Sequence, residues 1–88
     1  MQPIALSSKN YNHSDKYIQV KNTCTVSIHI ANTGDSDCQL IDGYLLSAGE
    51  NLCLPYIEGC FYSEDINIRW IDTTQTCKLQ VILHQLTT

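Results

Sequence analysis

Charge is scarce in these 88 residues. Lys, Arg, Asp and Glu make up 16 % of the chain, against about a quarter in an ordinary soluble domain. A surface so thinly charged points to a chain part of whose surface something else covers. The five basic residues face nine acidic ones, for a net charge of -4. That balance argues against nucleic acid as a partner, because phosphate recognition needs clustered Lys and Arg. Glycine occurs four times, always singly, so no glycine-rich phosphate loop is present. Alanine, the best helix former, occurs three times. No apolar run approaches the roughly 18 residues of a membrane span. The opening Met1–Lys9 lacks the basic-then-apolar order of a secretory signal. The start therefore predicts a complete product kept in a cytoplasm, with no membrane partner. The length allows one domain with a single small core, which argues against a large enzyme with a deep cleft. The hydrophobic fraction of 43 % excludes disorder over most of the chain.

Cysteine is the exception to this scarcity. Cys24, Cys38, Cys53, Cys60 and Cys77 are many for the length, yet their number is odd and no two are spaced Cys-x-x-Cys. A disulfide scaffold favours an even count and a secretory route, and zinc favours close ligand pairs. The reading is of free thiols acting as small core hydrophobes.

The abundant residues decide the class. Ten Ile, three Val and eight Thr suit strands. Cys24, Val26, Ile28 and Ile30 alternate with Thr25, Ser27 and His29, which puts the first four on one face. Ile66, Ile68 and Trp70 repeat the pattern, as do Cys77, Leu79, Val81 and Leu83. Tyr17–Val20, Cys38–Ile41, Asn51–Pro55 and Cys60–Tyr62 are shorter candidates. Turn residues separate them: Asn32–Asp37, the Asp42-Gly43 hairpin signal, Ala48–Asn51, Glu58-Gly59 and Asp72–Gln75. The spacing predicts an all-β chain, a small antiparallel β-sandwich or jelly-roll-like barrel. Residues 17–88 form that domain. Residues 1–16 are polar and aperiodic and are read as an extended N-terminal arm. Lys9, Lys16 and Lys21 against Asp15 leave the first 21 residues at +2 and the remainder at -6, so the arm suits contact with a neighbouring acidic body.

No catalytic constellation emerges, and the chain reads as a non-enzyme without cofactor or metal. His29 and His84 lie on the polar parity of their strands, and nothing pairs a histidine with a nucleophile. Asp35, Asp37 and Asp42 lack the spacing of a calcium loop. Glu64 and Asp65 are adjacent on an extended chain and point apart. Trp70 shares parity with core residues. Tyr56, Phe61 and Tyr62 gather around one loop and, with Lys9, Tyr11 and Lys16 of the arm, are the candidate interface residues, since aromatic side chains are enriched at interfaces.

From Ile28 through the Asn32-x-Gly34 turn, the sequence Gly43-Tyr44-Leu45-Leu46-Ser47-Ala48-Gly49-Glu50-Asn51-Leu52-Cys53-Leu54 and the closing Leu79–Leu83 strand, the chain resembles the small β-sandwich domains of tailed-bacteriophage virion proteins. Those carry a G-x-x-L-x-x-G-E-x-L-x-L turn and serve as head decoration (cement) proteins or head-fibre bases. The resemblance covers about residues 17–86. It implies a homo-oligomer, a trimer foremost, that clamps subunits of a major capsid protein or other virion proteins. It also implies location in the virion after assembly in the host cytoplasm. The competing reading is a carbohydrate- or receptor-binding β-sandwich module of a fibre or tail.

Overall fold

The computed structural model describes residues 4–41 and 43–86. Eight strands follow in order: β1 Ile4–Asn12, β2 Tyr17–Ile18, β3 Thr25–Asn32, β4 Cys38–Leu40, β5 Tyr44–Leu46, β6 Asn51–Leu54, β7 Ile66–Trp70 and β8 Lys78–Leu86. They form two four-stranded sheets, ordered β1-β8-β3-β6 and β2-β7-β4-β5. Every pairing is antiparallel. The chain is in effect one long hairpin, with first strand on last, second on seventh, third on sixth and fourth on fifth. Wrapping that hairpin into two sheets is the jelly-roll arrangement. The described residues contain no helix long and apolar enough to cross a membrane.

Alternation builds the core as the sequence predicts. Ile28 and Ile30 of β3, Leu79, Val81 and Leu83 of β8, and Ile66 and Ile68 of β7 turn inward. Leu40 and Leu46 close the second sheet, and Trp70 packs partly buried against the cluster.

Residues 4–12, read from the sequence as part of an arm, are the first strand of the first sheet. They pair with β8 without a register break, from Ile4 opposite Leu86 to Asn12 opposite Lys78. Backbone pairing needs no apolar alternation, and all of β1 except Tyr11 is exposed. A second difference lies at the start of β3. Cys24, expected on the core face, is exposed and has φ of 50°. The register shifts between Thr25 and Ser27, so Thr25 and Val26 are both buried. This bulge breaks the parity that Cys24 would otherwise inherit. Of Cys60–Tyr62, only Tyr62 pairs, as an isolated bridge to Thr25. The hairpin signal falls at the β4–β5 turn, where Gly43 takes φ of 103°; Asp42 itself lies outside the described residues.

The turns are pinned by a few polar groups. Asn32, 2 % exposed, donates from Nδ2 to the carbonyls of Ser36 (2.9 Å) and Leu46 (3.1 Å). Its Oδ1 accepts the Gly34 N–H at 3.2 Å. The Asn32 backbone exchanges bonds with Gly49 and Glu50. Gly49 supplies the φ of 84° that a type II turn needs at its third residue. Asp65 accepts the N–H groups of Val20 and Lys21, both at 2.7 Å. The Lys21 and Val20 amides therefore hold its carboxyl below the usual carboxylate range.

Candidate interaction surface

The loop from Pro55 to Phe61 leaves β6 and returns to the side of β3 beyond it. Three bonds fix its shape. The Tyr62 hydroxyl donates to the Pro55 carbonyl at 2.7 Å. The Cys60 N–H donates to Ile57 O at 3.0 Å, and the Tyr62 N–H to Thr25 O at 2.7 Å. Held in this way, the loop turns apolar side chains into solvent: Tyr56 is 50 %, Ile57 58 % and Phe61 59 % exposed. Between Ile57, Cys60, Phe61, Tyr62 and Val26 lies a shallow hollow of about 60 Å³. Removing such rings from water is the driving force of most protein association, so this crest suits contact with an apolar surface.

The structure divides the six candidate interface residues. Tyr56 and Phe61 are on the crest, while Tyr62 is half-buried and serves as its brace. Lys9 and Lys16 are exposed on the opposite side of the sandwich. Tyr11 is corrected from contact residue to core residue. It is 4 % exposed and packs in the inter-sheet cluster, because its position opposite Leu79 puts it on the inward face of β1. Burial pushes its phenol above the ordinary value. Lys9, two residues earlier on that face, lies 5.0 Å from the Tyr11 ring centroid, within cation–π range.

Asp37 Oδ1 accepts the Ala48 N–H at 2.9 Å. His29 and Cys53 are cross-strand neighbours on the outer face of the first sheet. Among the described residues, no three His, Cys, Asp or Glu side chains converge as a metal set. All five cysteines are free thiols; Cys38 and Cys77 are buried and the other three exposed. Burial pushes the Cys38 thiol up to about 11, aided by the Asp37 carboxylate.

Two open hollows flank the second sheet. One, about 350 Å³, has an apolar floor of Ile28, Leu54 and Ile66 and a rim including Glu64 and Asn67. The other, about 330 Å³, lies along that sheet between Gln39, Gly43, Asn67 and Arg69. Sequence reasoning missed both, since each is made by residues distant in the chain. Comparison with protein-family models, with characterised proteins and with solved structures finds no match for this chain.

Proposed function

We propose that the chain is a non-enzymatic virion structural protein of the capsid-decoration type, which clamps neighbouring subunits of a major capsid protein. The observation that carries this reading is the crest of Tyr56, Ile57 and Phe61, held out by the Tyr62 brace. Three hydrogen bonds hold this loop in one shape with its apolar side chains already in solvent, which lowers the ordering cost of a contact made through them. The jelly roll adds support by analogy, since viral capsid domains use it. A protein that binds only the assembled lattice stabilises it by mass action, by about 2.7 kcal/mol per site at a hundredfold excess over Kd.

The test uses heads of the phage that encodes the chain, prepared from a deletion strain. Added protein is expected to bind saturably and to raise the temperature at which heads disrupt. Phe61→Asp with Ile57→Asp is expected to weaken binding by at least about tenfold, as loss of interface anchors does. The variant's own unfolding temperature should stay nearly constant, because both side chains are exposed. Absence of the chain from heads, with no binding on addition, would refute the reading.

A second reading has one observation in its favour. Gln39, Asn67 and Arg69 line the hollow on the second sheet, and planar polar groups of that kind suit carbohydrate hydroxyls. Glycan-array binding by the isolated chain, lost in Arg69→Ala, would favour a carbohydrate-binding module.

A further inference from the structure

We propose that β1 is a self-pairing edge, through which two copies join antiparallel about a two-fold axis at Ser8. Their first sheets would merge into one continuous sheet. The inference is independent of the capsid reading.

Among the described residues, β1 lies at the end of its sheet, with β8 on one side and no strand on the other. Its outer N–H and C=O groups are therefore a template for another strand. Nine residues run without a register break and hold no proline, Asp or Glu. Amides alternate in direction along an antiparallel strand, so complete overlap would form about eight to ten new hydrogen bonds.

Length selects the partner. The other sheet edges are β6, β2 and β5, of four, two and three residues. Pro55 follows β6 directly and cannot donate to a ladder. Among the described edge strands, only β1 of a second copy matches β1 along its full length. Pairing like with like about a two-fold axis uses both β1 edges at once and closes as a dimer.

The charge pattern allows this register. With Ser8 on the axis, Ala5 faces Tyr11 of the second copy, Leu6 faces Asn10 and Ser7 faces Lys9. Lys9 is the one charged residue of the strand. The two Lys9 residues would sit diagonally, and each ammonium leans over its own Tyr11 ring. Tyr11 lies farther from the axis than Lys9, so this contact draws the two charges apart. Like charges directly opposite would instead be destabilising.

The experiment is sedimentation equilibrium of the full chain in reductant, over a wide concentration range. A reversible dimer is expected for the wild type. Ser8→Lys and Ser8→Glu each put two like charges face to face on the axis, and each is expected to raise the dissociation constant about fivefold. An equimolar mixture of the two should recover the affinity as a heterodimer. Ser8 is exposed in the single chain, so circular dichroism and thermal unfolding of the dilute variants should match the wild type. A wild type that stays monomeric throughout overturns the proposal. So does a trimer or dimer indifferent to Ser8→Lys, or a mixture that fails to re-associate.

Discussion

Replacing Asn32 with Ala should cost more than any surface change in the molecule. The side chain bonds to the Ser36 carbonyl, the Leu46 carbonyl and the Gly34 N–H, and its amide also reaches Cys38 Sγ at 4.0 Å. Gly34 N–H retains a second acceptor in Lys78 O at 3.1 Å, so its loss matters least. The two carbonyls lose the Asn32 amide in a site that is closed to water around that side chain. A stranded buried acceptor costs about 1–3 kcal/mol, so the pair gives a loss of about 3 kcal/mol. A domain of this size has a total stability of about 4–13 kcal/mol, and Tm should fall by about 12–24 °C. Urea unfolding followed by fluorescence of the single tryptophan, Trp70, measures the loss directly. Asn32→Asp sharpens the test. It keeps the shape but turns a carboxylate oxygen toward two carbonyls, so burial and repulsion should raise its folded pKa. That penalty is full when the carboxylate is ionised and fades as pH falls through the raised value. The Asp variant should therefore gain stability as pH falls through that raised value toward the unfolded one of about 3.9. A loss below about 1 kcal/mol in Asn32→Ala, or an Asp variant as stable as wild type at neutral pH, would refute the reasoning.

Other expectations rest on separate contacts. A Cβ on Gly34 would meet Thr76 O and, at 2.7 Å, Lys78 N; Gly34→Ala should therefore cost about 3 kcal/mol, read as a lower urea midpoint. Native iodoacetamide treatment should label Cys24, Cys53 and Cys60 quickly and spare Cys38 and Cys77 until unfolding, with mass spectrometry counting the adducts. Asp65 has a lowered folded pKa. Its contribution to stability is thus present above the unfolded value of about 3.9 and is lost as pH falls through the folded one. Asp65→Asn should be less stable than wild type at pH 7, and the difference should close in acid, as thermal melts across pH would show.

The strands legible in the sequence are those with one face on the core. β3, β7 and β8 alternate because their inward residues must be apolar and their outward ones need not be. β1 carried no such signal, since sheet pairing through the backbone constrains its side chains little. Its one informative residue, Tyr11, carries no sign in the sequence of the face it takes, because the residues around it do not alternate. The bulge at Thr25 was equally hidden: an extra residue shifts parity without changing composition. Asn32 did leave a trace. It shares parity with Ile28 and Ile30, and a polar residue on an apolar face must find partners inside the fold. Its turn role was legible from Asn32-x-Gly34, but its link to the end of β5 was not, because Leu46, fourteen residues on, meets it only after β4 and β5 have folded back.

The crest was half legible for a geometric reason. An aromatic cluster in a loop marks a place where rings gather, but an extended backbone sends neighbouring side chains to opposite sides. Phe61 and Tyr62 therefore cannot both face a partner. Tyr62 bridges to β3 through its backbone, which turns its ring inward toward the core and its hydroxyl onto Pro55. That leaves Phe61 outside. The difference between the two lies in a single pairing with Thr25, the residue at which the β3 bulge begins. The irregularity in β3 thus coincides with the point at which one ring of an adjacent pair turns inward and the other is left in solvent.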